Sequence, residues 1–130
     1  MKSLLKNKKG FTLIEIMAVL VIMGVMGSIA IHKINDISGS AEDSALRTGI
    51  AELNVRETMI WTNEKFSTGG WSSGGDAAVW AVMATNTNLG SEYSWSVGPG
   101  AGGGTLSFGS RSKALNRAPS TNILSGRWSP

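Results

Sequence analysis

The sequence contains no cysteine and only one histidine, His32. The missing cysteines exclude disulfides, thiolate catalysis, zinc–thiolate sites and covalent haem attachment. Most hydrolytic triads and most imidazole-based metal sites are hard to assemble from a single histidine. We expect His32 to lie at a membrane–water boundary rather than to bind a ligand. Because no nucleophile, base and orienting group can be identified together, the sequence predicts no enzyme activity and no cofactor.

The positive charge is confined to one end of the chain. The net charge is +3, but Lys2, Lys6, Lys8 and Lys9 all fall in the first ten residues, where there is no acid. Subtracting these four from the twelve Lys/Arg leaves eight, against nine Asp/Glu in residues 11–130. A nucleic-acid-binding surface needs a basic stripe on the folded domain. We therefore predict no nucleic-acid partner.

Acidic residues are scarce in the C-terminal half, where only Asp76 and Glu92 occur after Lys65. Calcium and similar hard cations bind through six or more oxygen atoms, several of them usually from carboxylates. We therefore predict no metal site in the C-terminal half.

Residues 11–31 form a long apolar run, FTLIEIMAVLVIMGVMGSIAI, in which Glu15 is the only charged residue. As a helix the run would extend over about 31 Å, at about 1.5 Å per residue, which matches the hydrocarbon core of a bilayer. The lysines before it favour a cytoplasmic N-terminus. We predict a transmembrane helix here, with the following domain on the other side of the membrane.

Glu15 is unexpected in such a run, because a carboxylate in hydrocarbon costs on the order of 2.5–3.5 kcal/mol. A cleaved secretory signal is disfavoured, since the run is long and GSIAIHKI is a poor cleavage site. A plain signal anchor would carry no charge in its first turns. A segment that leaves the membrane to pack against copies of itself explains the carboxylate. If the chain is cut between Gly10 and Phe11, Glu15 of one copy can pair with the Phe11 amino group of the next, which would fix axial register.

The motif KKG-FTLIE, with Gly10, Phe11 and Glu15 in order, resembles the class III signal of type IV pilins, which type II secretion pseudopilins share. The resemblance is close over roughly residues 1–35 and loose over the next 30. It implies that a prepilin peptidase cuts after Gly10 and methylates the amino group of Phe11. It also implies that the subunit waits in the bacterial inner membrane as a single-pass protein. The assembly machinery then draws it into a homopolymer.

The resemblance implies an extracellular filament, or a periplasmic pseudopilus in the secretion case. A structural subunit of a type IV pilus-like filament is our first interpretation, and a type II secretion pseudopilin is the second. A membrane-anchored binding module that never polymerises is a more distant alternative. Many relatives have proline at the position of His32, so this helix is expected to be more continuous.

We predict four segments: a cleaved basic leader at 1–10, the apolar helix at 11–31, an amphipathic helix at 32–66 and a Gly/Ser/Trp-rich β domain at 67–130. In the second helix apolar residues recur at three- and four-residue steps. Glu52 and Arg56 are four apart, in the favourable order for a pair. The Ser38-Gly39-Ser40 stretch is a weak point. The recurring apolar residues are Ile34, Ile37, Ala41, Ala45, Leu46, Ile50, Leu53 and Ile60.

The C-terminal pattern predicts a short helix at 76–85 with Asp76 as N-cap. Alternation predicts strands at 91–97 and 105–110, separated by a flexible glycine-rich loop at 98–104, and a third strand at 122–128. Tyr93, Trp95 and Val97 are expected on one face of the first strand. The predicted fold class is α+β, a long N-terminal helix packed on a small antiparallel β-meander. Aromatic residues are expected to supply much of its core. The tryptophans are Trp61, Trp71, Trp80, Trp95 and Trp128.

Overall fold

The computed structural model describes residues 10–71 and 74–130. The predicted leader at 1–10 lies outside these residues except for Gly10. An antiparallel sheet with strand order β1-β2-β3-β4 follows two helices, which confirms the predicted α+β arrangement of a long N-terminal helix and a small meander. The elements are α1 Leu13–Lys65, α2 Gly75–Met83, β1 Tyr93–Gly100, β2 Gly103–Phe108, β3 Arg111–Ala118 and β4 Arg127–Ser129.

The chain divides into two compact units, Met1–Ser38 and Gly39–Pro130, which we call the N-terminal unit and the head. In the N-terminal unit every described residue, 10–38, is exposed, so this part of α1 has no core of its own. The Ser38-Gly39-Ser40 stretch, predicted to be a weak point, lies within the continuous α1 helix, as do Gly24 and Gly27. Ile34 and Ile37 were predicted to face the domain but are exposed.

The core of the head lies between α1, α2 and the sheet. From α1 it takes Leu46, Ile50 and Leu53, whose three- and four-residue spacing places them on one helix face. This confirms the amphipathic pattern in the second half of the helix. Trp128 is fully buried, and the rings of Trp80 and Trp95 lie 6.3 and 5.7 Å from its ring. Aromatic packing therefore supplies much of the core of a domain that has no disulfide.

An ionic cluster, formed by the buried Glu57 and Arg117 and the half-buried Asp76, ties α1, α2 and β3 together. The guanidinium donates to Glu57, with Nη2 2.5 Å from Oε1, and to Asp76, with Nη2 2.7 Å from Oδ1. Trp128 Nε1 donates to Glu57 at 3.1 Å and the Ser120 N–H to Asp76 at 2.7 Å. Such satisfied, multiply bonded charges are what a low-dielectric interior tolerates.

The cluster shifts the pKa of two of its members. Burial raises the pKa of Asp76, but hydrogen bonds from Arg117 and Ser120 outweigh it, so the pKa of that carboxyl lies below its usual 3.8. For Arg117 the effects have the opposite signs. Burial lowers its pKa, but its hydrogen bonds to Asp76 and Glu57 outweigh burial, so the pKa of Arg117 lies above its usual value. Asp76 is therefore bound to Arg117 and is not the N-cap of α2. That position is Gly74, and no side chain caps the helix there.

The sheet differs from the sequence prediction at β1. The pairing advances from Trp95↔Leu106 to Val97↔Thr105, so two residues of β1 oppose one of β2. This β-bulge moves Val97 to the outer face, where it is 64% exposed, instead of beside Tyr93 and Trp95. The predicted loop at 98–104 was also wrong, because β1 runs to Gly100 and β2 starts at Gly103.

The two remaining strands were predicted less well. β3 was not predicted, because its inward positions include the charged residues Lys113 and Arg117 and so lack an apolar alternation. β4 is shorter than the predicted 122–128, since only Arg127–Ser129 pairs with β3. The Trp128 N–H donates to Asn54 Oδ1 at 2.7 Å, and Asn54 Nδ2 donates to the Trp128 carbonyl at 3.0 Å. These two bonds fix the short strand to α1.

Candidate functional site

The candidate site is the start of α1, where the sequence places Gly10, Phe11 and Glu15. The helix begins at Leu13, and Thr12 precedes it. The Thr12 N–H donates to Glu15 Oε2 at 2.7 Å, and the Glu15 N–H donates to Thr12 Oγ1 at 3.3 Å. This reciprocal pair is a capping box, in which a Thr and a Glu three residues later satisfy two otherwise unbonded N–H groups.

Thr12 is a residue that the sequence analysis missed, although T-x-x-E before an apolar run is the signature of a capping box. The carboxylate of Glu15 was interpreted only as a partner for another copy of the chain. It also caps the N-terminus of its own helix, and its negative charge lies at the positive end of the helix dipole. The capping box uses backbone N–H groups, so the anionic charge of Glu15 has no cationic partner among the contacts of the described residues.

Phe11 and Glu15 line the same shallow hollow on the helix surface. Its volume is about 240 Å³, and its other lining residues are Ile16, Val19 and Leu20. Residues four apart meet on one helix face. The structure thus brings Phe11 and Glu15 to one side of the chain, and the backbone nitrogen of Phe11 directly precedes the capping box. The predicted cleavage, methylation and register roles of Gly10, Phe11 and Glu15 stay predictions.

Gly10 has no local structural reason to be glycine among the described residues. A Cβ built on it would meet nothing within 4 Å, and its φ is not in the left-handed region. A side chain there would therefore be tolerated by the described fold.

The surface that follows the capping box is almost continuously apolar. Large hydrophobic side chains from Phe11 to Ile37 are between 48% and 85% exposed, and none of the most apolar 18-residue window of α1 is buried. Soluble monomers rarely expose apolar patches of this extent. In the described part of the chain α1 is the one helix long and apolar enough to cross a membrane, which fits membrane insertion.

Two other residues singled out by the sequence lie away from this site. His32 Nδ1 is 2.9 Å from the carbonyl oxygen of Ser28, so the exposed imidazole bonds its own helix. Asp76, one of the two acids considered as calcium ligands, is engaged by Arg117 and Ser120. Within residues 10–71 and 74–130 no three His, Asp or Glu side chains are grouped so that they could hold a metal ion.

Residues 5–31 match the family model of the prokaryotic N-terminal methylation motif. This motif is the class III prepilin signal of type IV pilin-like proteins, and the chain carries it over Gly10, Phe11, the capping box and most of the apolar helix. The match supports a type IV pilin or a pseudopilin-like protein. No curated protein and no solved structure matches the chain significantly.

Proposed function

We propose that the chain is a structural subunit of a type IV pilus-like filament. In this proposal a prepilin peptidase removes residues 1–10 and methylates the amino group of Phe11. The mature subunit is held in the inner membrane by residues 11–31 and is then assembled into an extracellular homopolymer. Its role is structural and uses no catalytic group or cofactor.

The observation that carries the proposal is the exposed apolar surface of residues 11–37 behind a methylation motif. In water that surface would be strongly unfavourable, so it needs lipid, other copies of itself, or each in turn. The core of the head is formed by residues of the head itself, from its part of α1, from α2 and from the strands. A segment that is covered first by lipid and later by other copies of the chain accounts for both the length of the apolar run and its exposure.

Glu15 is what favours assembly over permanent residence in the membrane. Its capping box satisfies backbone N–H groups but leaves a full negative charge at the end of an apolar segment. After cleavage, the only new cation nearby is the amino group of Phe11. In its own helix that cation faces the positive dipole end, which is unfavourable. Pairing with Glu15 of a neighbouring copy removes both uncompensated charges, so the two together are far less costly to bury than either alone.

A pseudopilin of a type II secretion system is the second candidate, because it carries the same signal. The two differ in where the polymer is found and what its loss does. Surface filaments sheared from intact cells support the pilus. Loss of protein secretion on deletion, with the chain confined to the cell envelope, supports the pseudopilin. A chain that stays monomeric in the membrane supports a non-polymerising binding module.

The polymerisation proposal is tested by electron microscopy of the sheared fraction from cells that make the wild-type chain or Glu15→Ala. We expect filaments that contain the wild-type chain, and membrane-inserted but unassembled Glu15→Ala. The matched control is Asp36→Ala, which removes an exposed acid beyond the apolar run and is expected to assemble. Normal filaments from Glu15→Ala would contradict the proposed role of the carboxylate.

A further inference from the structure

Strand β3 is paired along one side but only in part along the other. On one side β2 pairs with it from Arg111 to Asn116 without a register shift. On the opposite side β4 pairs only with residues 116–118. In the described part of the chain no other strand pairs with residues 111–115 on that side. We call residues 111–115 the open edge, which at about 3.3 Å per residue is about 17 Å long.

The backbone of the open edge has hydrogen-bonding groups that no described strand uses. The Arg117 N–H donates to the Gly102 carbonyl at 3.0 Å, which marks these two residues as a hydrogen-bonded pair. Such pairs alternate with non-bonded pairs along an antiparallel ladder. Ser112 and Ala114 therefore fall in non-bonded positions opposite β2, and their N–H and C=O groups point away from it. Both residues are exposed, so an added strand could reach these groups.

The other edge strand of the sheet, β1, is obstructed in ways that commonly protect edge strands. Its register shifts on both sides of Val97, and it contains Pro99, which has no N–H to donate. The open edge of β3 has neither a register shift nor a proline. It is therefore regular enough to accept a further strand, as sheet edges do when they bind extended peptides.

The acidic side chains beside the open edge are already engaged within the head. Asp43 forms an ion pair with Arg111, with Oδ2 3.6 Å from Nη1. Glu42 Oε2 accepts hydrogen bonds from the N–H and the hydroxyl of Ser110, at 3.2 and 2.7 Å. These contacts attach the turn before β3 and the start of β3 to α1.

Two cations without an acidic partner flank the open edge. Lys113 is half-buried and lies on the same face of β3 as the buried Leu115. Arg47 is exposed and lies one turn after Asp43 and two turns before Asn54, on the side of α1 that contacts β3 and β4. Neither cation has an ion pair in the described part of the chain. An acidic side chain on an added strand would meet them.

We propose that the open edge of β3 binds an extended acidic peptide segment of a partner protein, which adds a strand to the sheet. Its backbone completes the hydrogen bonds of Ser112 and Ala114, and its carboxylates pair with Arg47 and Lys113. Pairing of two open edges would bring the same cations together, which disfavours a second copy of this chain as the occupant. The proposal does not depend on polymerisation, because the open edge belongs to the head.

Two synthetic peptides of equal length, TETETET and TKTKTKT, test both the charge and the added strand. We expect the detergent-solubilised full-length chain to bind labelled TETETET and not TKTKTKT in fluorescence anisotropy. At a peptide concentration of about ten times Kd, amide hydrogen exchange of Ser112 and Ala114 should slow by about tenfold. The amides of β1 should be unchanged.

Ala114→Pro tests the backbone contact, because the N–H that it removes points away from β2 and proline is tolerated at such edge positions. We expect it to keep the thermal unfolding midpoint of the wild-type chain and to lose TETETET binding. A TETETET peptide that is N-methylated at every residue cannot donate to the open edge and should not bind the wild-type chain. This peptide tests the same contact without any change to the protein.

Arg47→Glu tests the charge and should weaken TETETET binding by about tenfold or more. The matched control is Arg127→Glu, an exposed cation on β4 opposite Ala118 and so away from the open edge. It should leave the affinity within about twofold of the wild-type value. Equal losses in the two variants would show that TETETET responds to overall charge and would overturn the proposal.

Loss of binding in Ala114→Pro, together with protection of Ser112 and Ala114 in the wild-type chain, supports the open edge as the site. Equal binding of TKTKTKT, binding of the N-methylated peptide, protection confined to β1, or no binding of TETETET would overturn the proposal. Protection of the open edge that rises with protein concentration, without added peptide, would assign the edge to a second copy and overturn the acidic partner. Filament formation is scored separately, so none of these results decides the polymerisation proposal.

Discussion

The N-terminal unit and the head place their apolar and charged residues in opposite ways. From residue 10 to residue 38 the unit exposes its apolar side chains and buries none. The head buries leucines and Trp128 and also encloses Arg117, which is salt-bridged to the buried Glu57 and to the half-buried Asp76. A head with a satisfied core is complete by itself, whereas an uncovered apolar helix is complete only with lipid or other copies around it. The head therefore folds on its own contacts, whereas the N-terminal unit needs a cover of lipid or protein, which is where the proposed assembly would act.

The largest expected effect concerns the buried cluster of the head. Arg117→Leu leaves the fully buried Glu57 without its cation, and breaking a buried pair in this way costs about 3–5 kcal/mol. Thermal unfolding of the detergent-solubilised chain, followed by tryptophan fluorescence, should show a much lower midpoint. Arg127→Leu, an exposed arginine, is the control and should change stability by about 0.5 kcal/mol or less. Equal effects of the two variants would show that the cluster does not stabilise the head.

The next effect separates the two units on the same helix. Leu20→Lys introduces a charge into the apolar segment and should oppose membrane insertion by about 2.5–3.5 kcal/mol, because lysine is costly at the centre of a bilayer. Val55→Lys alters an equally exposed apolar residue of the head and should leave insertion unchanged. Carbonate extraction of membranes measures both. A similar loss of insertion in both variants would contradict the assignment of the membrane segment to residues 11–31.

A smaller effect is expected at the capping box. Thr12→Ala removes the side-chain acceptor of the Glu15 N–H and should cost about 1 kcal/mol of local helix stability. Amide hydrogen exchange in the first turn of α1 should become roughly fivefold faster. Thr48→Ala, which loses only a bond to the Ser44 carbonyl within the helix, is the matched control and should not change that turn. Unchanged exchange in Thr12→Ala would contradict the capping role.

The smallest effect appears only in acid. The pKa of Asp76 is lower in the folded head than its usual 3.8, so its bonds contribute stability that is present above about pH 3.8. That contribution is lost as the pH falls through the lower, folded pKa. Denaturant unfolding at a series of pH values should therefore show an acid-dependent loss of stability below pH 3.8 that is weaker in Asp76→Asn. An identical acid dependence in both chains would contradict the lowered pKa.

Strong local patterns in the sequence were enough to predict several features of this molecule. The apolar run, the amphipathic spacing around Leu46 and Leu53, and the alternation of residues 105–110 each correspond to an observed helix or strand. The Glu52–Arg56 pair also forms, at 2.8 Å. These features depend on residues close in the chain, which is why periodicity reveals them.

The features that were missed depend on contacts between distant residues. Strand β3 buries Arg117, which is possible only because Glu57 and Asp76 come from two other elements. The bulge that exposes Val97 depends on the pairing of β1 with β2. In the candidate site, Gly10, Phe11 and Glu15 were predicted, but the bond of Glu15 to Thr12 was not, because the carboxylate was considered only as a partner for another copy.

The central claim is that the apolar helix becomes a polymerising segment after one cut. Intact mass spectrometry of sheared filaments and of the inner-membrane fraction tests it most directly. The proposal predicts that the chain in the filaments begins at N-methylated Phe11, with residues 1–10 removed. A chain that still carries Met1 to Gly10, found only in the membrane, would contradict it, because Glu15 would then lack the amino group that it is proposed to pair with.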